Sequence, residues 1–247
     1  MLKNKFRGTK FVLGVFLLLS FLVVASVSAD SEDAPITYRV TVENLTHGQP
    51  FTPPVIATHN RNIELFQRNQ PANIGIQQIA ENGNLAPMLD ILSNSADVSD
   101  FTVAVAGDPP PLMPQSEVTV EITANSVNDV LSVAAMLICT NDSFAGLDSV
   151  TLPKQVGQTK TFKIRGYDAG TEINTEDFAD IVPPCQGLTG VSSEDPGTGM
   201  SNPALAENGV IRVDKRNGGN VLGISDLLPS IHDWAGIVGT LTIERVQ

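Results

Sequence analysis

Five stretches of this chain alternate apolar and polar residues with a period of two. They are "ITYRVTVE" from Ile36, "FTVAVAG" from Phe101, "EVTVEIT" from Glu117, "KTFKIRGY" from Lys160 and "GTLTIERV" from Gly239. Successive side chains of an extended backbone point to opposite faces, so this period predicts strands with one dry face and one wet face. The stretches are short, rich in β-branched residues, and separated by Pro, Gly, Asn and Asp clusters such as "GDPPPLMP". That spacing predicts an all-β fold, an antiparallel β-sandwich.

Two regions depart from the alternation. In "PANIGIQQIAENGNLAPMLDIL" the residues Ile76, Ile79 and Ala80 fall at helical spacing and Asn82-Gly83 supplies a stop. One or two short helices are expected there, as a cap over one end of the sandwich. From Gly187 to Asn208 the chain is Gly-, Ser-, Pro- and Asn-rich and reads as a long loop. The run from Leu131 to Cys139 is apolar apart from Ser132, as expected of a strand buried on both faces. It leads into "NDSFAGLDSV", which reads as an acidic loop exposing Asp142 and Asp148. No internal repeat and no second core pattern is visible, so residues 30–247 are expected to form one domain.

The first 29 residues read as a secretory signal peptide. Lys3, Lys5, Arg7 and Lys10 precede an apolar run from Phe11 to Val24, and Val27-Ser28-Ala29 forms a small-residue cleavage pattern before Asp30. The polar residues Asp30 to Asp33 favour cleavage over retention as an anchor, so the expectation is a secreted, periplasmic or cell-surface protein with no membrane span after cleavage. Removal takes away four cations and moves the formal net charge from −12 to about −16. Nucleic acid is excluded as a partner on that charge, and divalent cations are compatible with it.

Cys139 and Cys185 both lie in the exported part. An oxidising compartment would permit a single bridge between them, and a small buried hydrophobe is the alternative reading of Cys139. There is no G-x-S-x-G, no H-E-x-x-H and no phosphate-binding glycine loop. His47, His59 and His232 are far apart in sequence and read as polar residues of loops or strand ends. The chain is therefore expected not to be an enzyme.

Asp142 and Asp148 flank "SFAG", and "RGYDAGTE" places Asp168 and Glu172 after another strand. Hard cations such as Ca²⁺ take oxygen ligands from carboxylates and loop carbonyls, and an ion relieves the repulsion among clustered carboxylates. The spacing does not fit an EF-hand, whose ligands sit at alternate positions of one continuous loop. Ordinary turn chemistry, which favours Asp, Gly and Asn, is the competing reading.

The segments "MLICTNDSFAGLDS", "YDAGTE", "TVENLTHGQPFTPPVIATHN" and "GISDLLPSIHDWAGIVGTLTIERV" together resemble the spondin amino-terminal domain family in its shorter bacterial form. The resemblance covers residues from about Ile36 to Gln247. It implies a β-sandwich similar to C2 domains. It also implies calcium binding through Asp142, Asp168 and Glu172, the last being a longer carboxylate than the aspartate of the relatives. Asp148 falls where a ligand is not implied. An extracellular protein or glycan is the partner class implied. No thrombospondin-type repeat accompanies the domain, so the axon-guidance and matrix roles of animal spondins do not carry over.

Three function classes follow. The leading one is a secreted, non-enzymatic calcium-binding module for adhesion. The others are an envelope or matrix protein whose ion only stiffens loops, and a hydrolase using Asp142 and Glu172 as acid and base. Asn44-Leu45-Thr46 and Asn141-Asp142-Ser143 match the glycosylation sequon.

Overall fold

The computed structural model describes residues 35–108, 110–214 and 225–247, all of them within one unit spanning Glu32–Gln247. The expected signal peptide lies outside the described residues. Among those described, no helix is long and apolar enough to cross a membrane.

Among the described residues, nine antiparallel strands form one sheet: β1 (Ile36–Asn44), β2 (Val55–His59), β3 (Val98–Val103), β4 (Glu117–Ala124), β5 (Val130–Met136), β6 (Ser143–Thr151), β7 (Thr159–Asp168), β8 (Arg212–Val213) and β9 (Ile237–Arg245). Their spatial order is β3-β2-β5-β6-β7-β9-β1-β4, with β8 added to β7. The two edges nearly meet. Asp100 of β3 accepts hydrogen bonds from the Thr123 N–H at 2.9 Å and its hydroxyl at 2.7 Å, and the Thr58 hydroxyl donates to the Thr123 carbonyl at 2.6 Å. Polar side chains thus seal the seam where the strand ladder stops, and the sheet curls into a nearly closed sandwich that leaves little free edge for another chain to pair with.

Alternation along the strands sorts side chains into two cores. Val40, Val42, Ile56, Leu131, Val133, Leu137, Ile164 and Leu241 fill the interior between the halves of the sheet. Val55, Ala57, Ala134, Met136, Phe144 and Tyr167 point outward into a second apolar layer. The strand β5 contributes to both, which is why it has no polar face and every residue of it is buried.

The second layer is roofed by α1 (Ile74–Asn82) and α2 (Ala86–Ser93). The side chain of Asn73 caps α1 by accepting the Ile76 N–H at 2.9 Å, and Gly83 ends it at φ 65°, a left-handed conformation that glycine adopts without a Cβ penalty. Ile76, Ile79 and Ala80 form its buried face, as their spacing predicts. However, α1 lies over the outer face of β5 and β6 and α2 packs against α1 and β3, so the pair does not cap an end of the sandwich. A strand buried on both faces needs cover on the second one, and α1 supplies it. Two single-turn helices, α3 (Pro184–Thr189) and α4 (Pro229–His232), sit in the long connections, where no helical period marks them.

Candidate functional site

The strand β5 ends where the Thr140 hydroxyl reaches back to donate to the Leu137 carbonyl at 2.6 Å while accepting the Ser143 N–H at 3.0 Å. This side-chain-built turn reverses the chain at once, so "SFAGLDSV" becomes strand β6 and not a loop. Asp142, expected at the surface, is fully buried. Its Oδ2 accepts the N–H groups of Thr171 and Glu172 at 2.8 and 3.0 Å, and its carbonyl accepts the Ala169 N–H at 3.0 Å. A carboxylate can be buried here because backbone N–H groups satisfy it. Asn141 forms no Asx-turn around it: its amide donates to Thr175 at 3.1 Å and its Oδ1 accepts the Glu176 N–H at 3.2 Å.

The "DAGTE" turn follows β7. Gly170 has φ 68°, and a Cβ there would lie 2.7 Å from the Val210 nitrogen, so this close backbone pairing requires glycine. Asp168, half-buried, accepts the Gly170 N–H at 2.6 Å and the Asn174 amide at 3.2 Å. Burial raises its carboxyl above the usual range, Asp214 and Glu207 add to the rise, and the two donors oppose it. Glu172 is buried, accepts the Asn202 N–H at 2.6 Å, and is pushed up to about 7 by burial, with Glu81, Asp142 and Asp180 raising it further.

The fold therefore joins the two acidic segments at one end of β6 and β7 through the carboxylate of Asp142. It does not bring the oxygens of Asp142, Asp168 and Glu172 into one tight cluster. Among the described residues, the acidic group whose carboxylate oxygens lie within 4.8 Å of one another is Asp177, Asp195 and Asp226. Asp148 is used elsewhere in the fold. Its Oδ1 accepts the Leu65 N–H at 2.7 Å and the Ser132 hydroxyl at 3.0 Å, tying the loop before α1 to β5.

Sequence reasoning missed Glu81, Asp180 and Asn202. Glu81 reaches the site from α1, where the Ser201 hydroxyl and the Gln77 amide donate to it. Asn202 donates its N–H to Glu172 and its amide to Asp180 at 2.9 Å. Nothing in their local patterns marks them, because they meet Glu172 only when the long loop folds back over α1. His59 lies at the end of β2, as expected, and His232 at the end of α4; both are fully buried. Asn44 and Asn141 of the two sequons are fully buried with their amides engaged, so neither offers a glycosylation acceptor.

The raised Glu172 carboxyl has a defined effect on stability. Its folded value near 7 exceeds the ordinary 4.5, so between those pH values the folded chain holds more protons than the unfolded one. Stability contributed at this position is then lost as pH rises through that window, and is unaffected below it. In chelator, wild type should lose stability relative to Glu172→Gln on going from about pH 4.5 to pH 8. Parallel urea-stability profiles for the two proteins would contradict this.

A protein-family model described as Spondin_N matches residues 43–179. The match contains Cys139, Asp142, Asp168 and Glu172, and stops short of Cys185 and β9. No curated protein matches the chain.

Proposed function

The chain belongs to the spondin N-terminal domain family, and from that premise we propose an exported, non-enzymatic binding module whose β6–β7 end holds a calcium ion. The ion shapes the surrounding loops into a surface for an extracellular protein or glycan. One observation carries this reading: Asp142 fastens the "DAGTE" turn to the start of β6, beside carboxylates where burial and mutual repulsion raise Glu172.

The residues fit such an ion in donor chemistry. Asp142, Asp168 and Glu172 would hold it, with oxygen donors suited to a hard cation. Bound calcium would supply the positive charge that relieves repulsion among Glu172, Glu81, Asp142 and Asp180. In the structure the three carboxylates lie apart, so calcium would have to draw them together on binding. Full burial of Asp142, with one oxygen held by two backbone N–H groups, speaks against its use as a hydrolytic acid or base. The acidic charge speaks against nucleic acid.

Calcium should raise the melting temperature of residues 30–247, because by linkage it stabilises the folded state by about 2.7 kcal/mol at a hundredfold excess over Kd. Asp168→Asn keeps the shape and one oxygen while removing a charge. The calcium-induced rise should shrink sharply in this variant, whereas its stability in chelator should equal or slightly exceed that of wild type, because a buried, repelled carboxylate has gone. An identical calcium response in both proteins would remove the site. Retention on cells or polysaccharide only with calcium present distinguishes the binding module from a protein whose ion merely stiffens loops.

A further inference from the structure

In the long loop after α3, Asp195 is followed by Pro196, and the carbonyl oxygen of that peptide bond accepts a hydrogen bond from the Gln186 side-chain amide at 2.5 Å. Gln186 is held in place. It lies in α3 next to Cys185, which a disulfide joins to Cys139, and its Oε1 accepts the Ser193 N–H at 3.0 Å. The Asp195 N–H in turn donates to the Ser193 hydroxyl at 3.1 Å. Beyond the bond, the Thr198 N–H donates to the Ile181 carbonyl at 3.0 Å, and a Cβ on Gly197 (φ 79°) would lie 2.5 Å from that same oxygen. The chain is thus fastened on both sides of one peptide bond. The Asp195 carboxylate also has company: oxygens of Asp177 and Asp226 lie within 4.8 Å of its own and of each other. Those two are oriented by the N–H groups of Ala179 and Phe178, at 2.9 and 3.0 Å. Asp195 and Pro196 are both exposed to water.

We propose that the Asp195–Pro196 bond is a self-cleavage site, opened by the Asp195 carboxylate to give a nicked, two-chain protein. A side-chain oxygen of Asp195 attacks the carbonyl carbon of the same residue, and the carbonyl oxygen takes up the negative charge. The C–N bond then breaks. Its electron pair stays on the Pro196 nitrogen, which takes a proton from water or from a neighbouring carboxyl group, and the cyclic anhydride left on Asp195 is hydrolysed by water to two carboxyl groups. Proline carries no N–H, so the following nitrogen cannot attack the side chain and close a ring in the other direction. The surroundings treat the starting and transition states differently. Negative charge begins on a carboxylate crowded by two others and moves to an oxygen that the Gln186 amide already faces, so repulsion is relieved as a hydrogen bond strengthens. Each molecule is cut once, without turnover. The two pieces stay assembled, because β9 of the second lies between β7 and β1 of the first. The cut frees one end of the segment that carries Ser201 and Asn202. This inference is independent of the calcium reading.

The test incubates the oxidised protein of residues 30–247 in chelator, from mildly acidic to neutral pH, then denatures it and measures intact and fragment masses over time. Fragments 30–195 and 196–247 should appear, with masses that together exceed the intact chain by one water. Asp108-Pro109, the other Asp-Pro pair of the chain, is the internal reference for the ordinary lability of such a bond. The Asp195–Pro196 bond should open at least about tenfold faster than the reference, and the advantage should vanish in denaturant. Asp195→Ala should abolish the cut. Gln186→Met, which keeps the length of the side chain without its donor, should slow it at least about tenfold. If that variant fails to fold, Asp226→Asn replaces it and should slow the cut. The proposal is overturned by the absence of these fragments, by equal rates at the two Asp-Pro pairs, by a rate unchanged in denaturant, or by a folded Gln186→Met or Asp226→Asn protein that is cut as fast as wild type.

Discussion

Phe144→Ala should lower the unfolding free energy by about 3–5 kcal/mol, the cost of emptying a large aromatic site in a packed core. Phe144 is fully buried in the outer layer, with its ring centroid 5.0 Å from Phe66 edge-on and 5.5 Å from Tyr167 in a stack. Phe66 and Tyr167 are themselves 5.0 Å apart, so the three rings form one unit joining the loop before α1 to β6 and β7. Alanine removes one of three mutually packed rings, and the rigid sheet beneath cannot close the gap. Phe144→Leu keeps most of the volume and should cost clearly less. Urea unfolding of the oxidised protein measures both. A stability within error of wild type for Phe144→Ala would mean that the outer layer is not a cooperative part of the fold.

The double variant Cys139→Ser/Cys185→Ser should cost about 4 kcal/mol, from the chain entropy that a cross-link over a separation of 46 residues removes from the unfolded state. The closed loop contains Asp142, Asp168 and Glu172, so the same change frees one anchor of the segment that carries the candidate site. Reductant applied to wild type in the absence of metal should approach the same loss, and reductant should leave the double variant unchanged. A loss below about 1 kcal/mol would show that the unfolded chain gains little freedom when the bridge is removed.

The features legible in the sequence are those whose signal is local. "ITYRVTVE", "EVTVEIT", "KTFKIRGY" and "GTLTIERV" become β1, β4, β7 and β9 because one face of each meets a core and the other meets water, and alternation records that directly. The spacing of Ile76, Ile79 and Ala80 likewise records the buried face of α1, and Gly83 its end. β6 escaped recognition for the complementary reason. Phe144 packs on the outer face and Ala145 on the inner, so the strand begins with no wet face. Asp148, which looks like a turn residue, serves internal hydrogen bonds to Leu65 and Ser132.

The sequence by itself determined a β-sandwich with a short helical insertion, an acidic chain, and the identity of the segments bearing Asp142, Asp168 and Glu172. Only the tertiary structure decided how those segments are used. Burial of Asp142 depends on N–H groups supplied by Thr171 and Glu172, about thirty residues further along the chain. The charge state of Glu172 depends on its burial, on Glu81 from a helix, on Asp180 from the stretch before α3, and on Asn202 from the long loop. The joining of Cys139 to Cys185, and the approach of His232 to both, depend on three connections folding to one point. The period of a strand or helix is written in neighbouring residues, because backbone geometry repeats every two or 3.6 positions. The surroundings of a buried polar group are set by chain segments remote in sequence, so local periodicity carries no record of them.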